Sequence, residues 1–172
     1  MKATLFNQCL DRIRSGDTCG LEPIYNKYYE KMSFSAFTKV KNIEDAKDIA
    51  SEFLKYILNN AHEIPYINHP SAWIFQSIRN RAVDYIRKDS KTAYLAEYAS
   101  DAFSKTPDYD LPVLIAEAIE KLTDAEKEIF ELHYIYGNKY TEISKMINKP
   151  VGTIKRQVYE IKQKLRHLKD YR

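Results

Sequence analysis

The chain is short of glycine and proline. Of its 172 residues, 4 are glycine and 6 are proline, about half of the share that these residues have in average proteins. This shortage disfavours turn-rich all-β folds, collagen-like chains and flexible low-complexity chains. Cysteine is also scarce: Cys9 and Cys19 lack CxxC spacing and a neighbouring histidine, which indicates two ordinary thiols rather than a disulfide framework or a zinc site.

Long apolar runs are missing as well. No stretch approaches the roughly 20 apolar residues that a membrane span needs, and the start of the chain leads into a polar amphipathic segment instead of a secretory signal. With 44% hydrophobic and 30% charged residues, the composition is typical of a soluble, mainly helical protein. We therefore expect a cytoplasmic protein with no membrane span.

Apolar residues recur at helical spacing in the first half of the chain. The spacing predicts a short helix over residues 5–14 and a longer one over 21–40. A third helix begins after Asn42, whose side chain can cap it. The loop that follows leads to Pro70, which suits the first position of a helix running to Arg87 or Lys88.

The second half begins with a segment that has no helical period. Residues 91–111 carry a net charge of −2 and are predicted to form a flexible linker. Helical spacing resumes after Pro112. Thr123 and Glu126 form a capping box pattern, and Gly137 provides a helix stop. We therefore predict an all-α fold of two small helical domains, residues 1–90 and 112–172, joined by an acidic linker over residues 91–111.

The strongest functional pattern lies near the C-terminus. A short helix around residues 141–147 is followed, after a tight turn, by a longer one from Val151, as in helix-turn-helix DNA-binding domains. Residues 145–172 hold nine Lys and Arg against two acids, a charge that favours phosphate contacts. Arg156 and Gln157 could reach base edges and Thr153 and Lys155 could hold phosphates, with Gly152, Tyr159 and Gln163 on the same outward face. The alternative is a solvated basic face on a helical hairpin.

A second pattern combines aromatic and basic residues over 71–88. Aromatic rings beside cations suit unstacked single-stranded bases, although a lone tryptophan such as Trp73 is more often a core residue. His62 and His69 in the preceding loop have poor spacing for a metal site, so neither a metal nor a cofactor is expected. The candidate DNA-contacting residues of this helix are Trp73, Asn80, Arg81, Asp84, Arg87 and Lys88.

A third pattern is an acidic helix face formed by Asp45, Asp48 and Glu52. Its neighbourhood supplies no matching histidine, lysine or second acidic cluster, so catalysis is not expected. The two remaining interpretations are a solvated face and a docking face for a protein partner.

Taken together, these segments resemble the sigma-70 family of RNA polymerase sigma factors, in its extracytoplasmic-function (ECF) group. Their order along the chain makes the resemblance specific: an acidic helix, an aromatic and basic helix, an acidic linker and a helix-turn-helix. The segments are DAKDIASEFL at 45–54, SAWIFQSIRNRAVDYIR at 71–87, LTDAEKEIF at 122–130, YTEIS at 140–144 and GTIK at 152–155.

The resemblance implies a role for each pattern. Asp45, Asp48 and Glu52 would dock on the clamp helices of the largest polymerase subunit, and the C-terminal domain would meet the flap of the second-largest subunit. The helix with Asn80 and Arg81, with the loop before it, would open and read the minus-10 promoter element. The residues that would read the minus-35 element are Gly152, Thr153, Lys155, Arg156 and Tyr159.

The sequence departs from the family pattern at a few positions. Lys139 stands where a capping serine is usual, Asn148 where glycine is common in the turn, and Glu160 where an arginine is frequent in the reading helix. Asparagine tolerates a left-handed conformation, so we expect the turn to be kept. The base preference of the reading helix is not predicted.

Two other functions compete with a sigma factor. A helix-turn-helix repressor or activator would bind its operator without polymerase, and a helical enzyme would need a nucleophile and base that the sequence does not display. The leading expectation is a non-enzymatic initiation factor that binds core polymerase and promoter DNA. Whether an anti-sigma partner clamps its two domains is left open by the sequence.

Overall fold

The computed structural model describes residues 1–93 and 118–166, with side chains up to residue 88 in the first range. Within these ranges the chain is helical and contains no strand, as the sequence predicted. One turn of 3-10 helix at Thr18–Leu21 and one π-helical segment at Glu131–Ile135 accompany the α-helices. The α-helices are α1 (Ala3–Arg14), α2 (Glu22–Val40), α3 (Ile43–Asn60), α4 (Pro70–Ala93), α5 (Asp124–Phe130), α6 (Tyr140–Met146) and α7 (Val151–Lys164).

The predicted helix starts are confirmed by local hydrogen bonds. Asn42 Oδ1 accepts from the backbone amides of Glu44 and Asp45 at 2.9 and 3.3 Å. Thr123 and Glu126 form the reciprocal capping box: Thr123 Oγ1 accepts from the Glu126 amide, and the Glu126 carboxylate accepts from the Thr123 amide. These bonds satisfy amides that the first helical turn leaves unpaired.

The N-terminal part, residues 1–93, packs α1 to α4 around a closed apolar core. Phe6, Tyr28, Phe53 and Ile74 are almost fully buried in it. Gly20 allows α1 to approach closely, because a Cβ built at this position would lie 2.5 Å from the Cys9 carbonyl oxygen. The sequence had interpreted Gly20 only as a break between helices.

The C-terminal part, residues 118–166, packs α5, α6 and α7 together with the π-helical segment. Its core consists of aliphatic residues from each of these elements: Leu122, Ile129, Leu132, Ile143, Ile154, Val158 and Ile161. Gly137 ends the π-helical segment with φ +72°, the left-handed conformation that glycine adopts without strain.

Three expectations differ from the structure or lie beyond it. Helix α4 continues to Ala93 instead of ending at Arg87 or Lys88, so residues 91–93 are helical and not part of a linker. The rest of the expected linker, 94–111, and the helical pattern over 112–117 lie outside the described residues, as does the basic end 167–172. The π-helical segment was not predicted, since its apolar spacing resembles that of an α-helix.

The N-terminal and C-terminal parts lie against each other. Tyr136 contacts Tyr28 and Phe75, with ring centroids 6.4 and 6.0 Å apart, and buried residues of both parts form one continuous cluster. The division into domains at residues 90 and 112 stays a prediction. Among the described residues, none of the helices is both long and apolar enough to cross a membrane.

Candidate nucleic-acid interface and docking face

A tight turn between α6 and α7 sets the geometry of the C-terminal helix pair. Asn148 has φ +51°, the left-handed conformation that the sequence expected an asparagine to tolerate. Ser144 Oγ donates to the Lys149 carbonyl at 2.6 Å, and the Lys149 amide donates back to the Ser144 carbonyl at 3.1 Å. These two bonds hold α7 at a defined angle to α6, as a helix-turn-helix requires.

The outward face of α7 carries the residues predicted to read DNA. Gly152, Lys155, Arg156 and Tyr159 are exposed, and Thr153 is half-buried. Tyr159 has 64% of its surface exposed, so its ring is available to a partner. A Cβ built on Gly152 meets no atom within 4 Å, so packing within the chain does not require glycine here.

The sequence led us to expect that Arg156 and Gln157 of α7 could both reach base edges, and the structure places these two side chains differently. Arg156 Nε lies 3.5 Å from Glu160 Oε1, one helical turn away, so its guanidinium is partly neutralised. Gln157 is half-buried, and among the described residues its buried Oε1 has no hydrogen-bond partner. The structure therefore favours Arg156, and not Gln157, as the residue that faces a ligand.

An ion pair joins the C-terminal end of α7 to the start of α5. Lys164 Nζ donates to both carboxylate oxygens of Glu126 at 2.7 and 2.8 Å, and Glu126 is 6% exposed. Burial acts to raise the pKa of Glu126, but the bonds from Lys164 and Thr123 outweigh it and lower that pKa. The sequence did not indicate this pair, because its members are 38 residues apart.

Helix α4 presents only part of its predicted nucleic-acid face. Trp73 is half-buried between Phe6 and Phe53, at centroid distances of 6.0 and 5.3 Å, which favours its interpretation as a core residue. The Arg81 guanidinium lies over the rings of Phe53 and Tyr56, at 5.3 and 4.8 Å. These contacts tie the middle of α4 to α3.

The remaining predicted residues of α4 are exposed. Asn80 Oδ1 accepts from Gln76 at 2.9 Å, and Asp84 forms an ion pair with Arg87 at 3.0 Å. Lys88 is exposed at the end of the range in which side chains are described. The exposed side of α4 thus combines these polar residues of mixed charge with Val83, Tyr85 and Ile86, which are exposed as well.

The loop before α4 is held by the first helix. The Asn7 side chain donates to the Ile67 carbonyl at 3.0 Å and accepts from the Ile67 amide at 2.9 Å. Arg14 donates to the carbonyls of Ala61 and Ile64. Tyr66 projects from this anchored loop with 61% of its surface exposed. Sequence reasoning missed Tyr66, although a tyrosine between Pro65 and Ile67 in a loop was a visible signal.

The predicted acidic face lies on the outside of α3. Asp48 and Glu52 are exposed and Asp45 is half-buried. Within the described ranges none of the three has an ion-pair partner, which leaves their charges available to an external cation. Beside this face, Tyr29 Oη lies 3.5 Å from Ser51 Oγ, and the exposed Tyr25 ring stacks on Tyr29 at 4.7 Å.

The described residues contain no group of three or more His, Cys, Asp or Glu side chains that could hold a metal ion. The unpaired acidic residues and the exposed aromatic rings lie on helix faces and on the loop before α4. Their arrangement suits macromolecular partners better than a small ligand.

Comparison with known proteins agrees with this geometry. Residues 113–165 match the family model described as sigma-70, region 4. The ECF RNA polymerase sigma factor SigW of Bacillus subtilis (strain 168) is 26% identical over 173 residues, covering 91% of this chain and 92% of SigW. The RNA polymerase sigma factor SigV of the same organism is 26% identical over 125 residues, covering 72% and 75%.

A solved structure shares the fold. A chain from the structure of CnrH in complex with the cytosolic domain of CnrY superposes with a TM-score of 0.68, covering 97% of this chain and 98% of that one. The two sequences are 14% identical, so this likeness concerns the fold alone.

Proposed function

Because this chain belongs to the ECF group of the sigma-70 family and is an RNA polymerase sigma factor, we propose a role for each of its exposed faces. The observation that carries the assignment is the exposed basic face of α7 in a helix-turn-helix that matches region 4. A repressor that acts without polymerase is disfavoured, since the similar curated proteins are sigma factors and the similarity extends over most of their length.

Helix α7 enters the major groove at the minus-35 element. Arg156 would contact guanine edges, Lys155 and Thr153 would hold phosphates, and Tyr159 would pack against the backbone or a thymine methyl. Gly152 has no packing reason within the chain, which supports a close approach of DNA to the first turn of α7.

The N-terminal part binds and opens the minus-10 element. Asn80, Asp84, Arg87 and Lys88 form the exposed line of α4 and would follow the separated strand. Trp73 and Arg81 support this line from behind through their contacts with Phe53. The anchored loop adds Tyr66, whose exposed ring suits stacking on an unpaired base.

Two surfaces would hold core polymerase. Asp45, Asp48 and Glu52 would meet basic side chains on the clamp helices of the largest subunit, since Asp48 and Glu52 are exposed, Asp45 is half-buried, and none of the three has an ion-pair partner among the described residues. The C-terminal domain, residues 112–172, would meet the flap of the second-largest subunit. Two weak contacts on one chain reinforce each other through effective concentration.

Further parts of the proposal concern context. The protein would act in the cytoplasm, without an enzymatic activity or cofactor of its own, with residues 1–90 and 112–172 as separate domains. The solved relative CnrH is bound to the cytosolic domain of a second protein, CnrY. This supports the proposal that an anti-sigma factor binds the present chain as well.

Promoter-specific transcription with purified core polymerase tests the function. The protein is added to core enzyme with a library of genomic fragments, and the transcript starts are mapped. Initiation at fragments that share a two-element promoter is expected. Absence of any start that depends on the added protein would reject a sigma function, whereas DNA binding without polymerase would support the repressor.

A further inference from the structure

The loop that joins α3 to α4, residues 61–69, points every third side chain into the core. Ala61, Ile64 and Ile67 are at most 6% exposed. The residues between these three are exposed in pairs: His62 with Glu63, Pro65 with Tyr66, and Asn68 with His69. Loops ordinarily run over the surface and are more mobile than the helices they connect. This loop is instead fixed to the core at three points.

Two side chains of α1 hold the loop backbone at the same three points. The Arg14 guanidinium donates to the carbonyl oxygen of Ala61, at 2.9 Å, and to that of Ile64. Asn7 Nδ2 donates to the Ile67 carbonyl at 3.0 Å, and Asn7 Oδ1 accepts from the Ile67 amide at 2.9 Å. Helix α1 therefore fixes the path of a loop that lies 47 to 60 residues away in the sequence.

Both side chains are themselves held in place. Asn7 is 4% exposed, and its amide group also donates to the Ala3 carbonyl at 2.7 Å. Arg14 Nη1 donates to Asp11 Oδ1 at 2.7 Å. A guanidinium is planar and presents its donors in a rigid fork. The bonds to the loop therefore define its position and not only its attachment.

Tyr66 is the large residue that this fixed backbone presents to solvent. It is 61% exposed, and in the ranges that the structure describes its side chain forms no hydrogen bond or ring contact. Pro65 restricts the backbone immediately before it, and the bonds from Asn7 to Ile67 restrict the backbone immediately after it. An aromatic ring suits stacking on an unpaired base, and a backbone that is ordered before binding lowers the entropy cost of that contact.

We propose that Asn7 and Arg14 are positioning residues for promoter opening, which fix the loop over 61–69 so that the Tyr66 ring is held ready to stack on an unpaired base of the minus-10 element. The proposal rests on the sigma function proposed above and adds α1, which contributes no residue to the DNA contacts assigned there. A base exposes its face to a ring only after it leaves the stack of the duplex. Loss of the positioning should therefore slow opening and leave the binding of duplex promoter unchanged.

Promoter opening by the holoenzyme tests the positioning, followed by 2-aminopurine fluorescence in the minus-10 element. Arg14→Met keeps the aliphatic part of the side chain and removes the donors, so it should slow opening several-fold. Arg14→Lys keeps the charge without the fork and should be intermediate. Arg12→Met is the matched control, because Arg12 lies on the same helix and pairs with Asp17 at 2.7 Å. Equal slowing by Arg12→Met and Arg14→Met would overturn the proposal.

The dependence on Tyr66 separates positioning from a general loss of stability. Tyr66→Ala alone should slow opening about ten-fold, the size expected for one base–aromatic stack. Adding Arg14→Met to Tyr66→Ala should slow it no further, because the ring to be positioned is gone. The loss of melting temperature caused by Arg14→Met should be the same with and without Tyr66. Losses of opening rate that multiply in the double variant would overturn the proposal.

Hydrogen exchange in the free full-length protein tests the anchoring without polymerase. The Ile67 amide should exchange several-fold faster in Arg14→Met than in the wild type, and Arg12→Met should leave it unchanged. Slow opening with unchanged exchange, or normal opening with fast exchange, overturns the positioning role and leaves the sigma function intact. A wild-type protein that initiates at no promoter rejects the sigma function, and the positioning role falls with it.

Discussion

Lys164, near the end of α7, donates to both carboxylate oxygens of Glu126, at the start of α5, at 2.7 and 2.8 Å. Glu126 also accepts from the Thr123 amide and hydroxyl, each at 2.9 Å. One buried carboxylate therefore caps α5 and attaches the end of α7. This group and the Ser144–Lys149 bonds of the turn together hold α7 against the rest of the C-terminal part.

Replacing Glu126 by glutamine should weaken the helix-turn-helix. We expect a loss of about 1 to 2 kcal/mol at pH 7, since Lys164 and the cap lose a charged acceptor. The pKa of Glu126 is lowered in the fold from 4.5, so its stabilisation is present above that pH and is lost as the pH falls through the lowered value. Thermal unfolding followed by circular dichroism measures both effects. Glu128→Gln on the same helix is the control, and an equal loss in the two variants would contradict the assignment.

Substitutions of Arg156 and Glu160 on α7 should distinguish the contribution of base contacts to DNA binding from that of net charge. Arg156→Ala should cost about 1 to 3 kcal/mol of binding at one base pair and relax the preference there. Glu160→Gln removes the partner that lies 3.5 Å from Arg156 and a charge that repels phosphate, so it should strengthen binding. Fluorescence anisotropy of the holoenzyme on promoter fragments at several salt concentrations tests this. Weaker DNA binding by Glu160→Gln would refute the idea that Glu160 competes with DNA for Arg156.

Substitutions at Arg81 and Asn80, which are adjacent on α4, should affect different properties: stability for Arg81 and promoter opening for Asn80. Arg81→Ala removes the cation over Phe53 and Tyr56 and should lower stability by about 0.5 to 1 kcal/mol. Asn80→Ala should change stability by less than about 0.5 kcal/mol yet slow promoter opening by the holoenzyme. Urea denaturation and 2-aminopurine fluorescence in the minus-10 element provide the two readouts. A stability loss for Asn80→Ala with normal opening would argue for a structural role only.

The acidic face of α3 should contribute charge to polymerase binding. The double variant Asp48→Asn and Glu52→Gln keeps the side-chain shapes and is expected to reduce affinity for core polymerase several-fold at low salt, with a smaller effect at high salt. Glu30→Gln, an exposed acid on α2, serves as the matched control. Titration of labelled protein with core enzyme measures the affinity, and equal affinities for the three proteins would leave α3 as a solvated face.

The contact of Glu131 with α2, where Thr38 Oγ1 lies 3.5 Å from Glu131 Oε1, should depend on pH. Burial raises the pKa of Glu131 to about 7 against the opposing effects of Ser35, Lys39, Arg79 and Thr38. Because its pKa is raised, Glu131 stabilises the fold fully below the ordinary carboxyl value of 4.5, and this contribution is lost as the pH rises through about 7. Nearby Tyr136 titrates well above this range, since burial raises its pKa too.

Thermal unfolding between pH 6 and 8.5 checks this prediction. The melting temperature of the wild type should fall as the pH rises, and Glu131→Gln should weaken this response because it removes the titrating carboxyl. Lys39, which also interacts electrostatically with Arg79, Lys127 and Asp124, is kept in both proteins. An equal pH response in Glu131→Gln would assign it to another residue.

Much of the architecture could be predicted from the sequence because it depends on local interactions. The caps at Asn42 and Thr123, the start of α4 at Pro70 and the left-handed turn at Asn148 involve residues within a few positions of one another. Apolar spacing likewise predicted the buried face of α7. The end of α4 was wrong by several residues, since no proline or glycine follows Lys88 closely enough to stop a helix.

The candidate site was only partly predictable, because it depends on contacts between residues that are distant in the sequence. Trp73 and Arg81 were assigned from their residue types, but the packing of α4 on α3 decided that the tryptophan lies among rings and that the arginine covers Phe53. Gln157 was given a base-reading role, and the side on which α7 packs turned it partly inward. Tyr66 became visible only once Asn7 and Arg14 were seen to hold its loop.

The sequence by itself determined the all-helical class and the order of acidic and basic faces, because spacing, capping and charge are properties of neighbouring residues. Its segments also carry the resemblance to the sigma-70 family. Only the tertiary structure decided which charges are paired or buried. Glu126 met Lys164, and Glu131 became buried beside Thr38 of α2. Both contacts join elements far apart in the chain, whose approach is set by packing of the whole core and not by any local pattern.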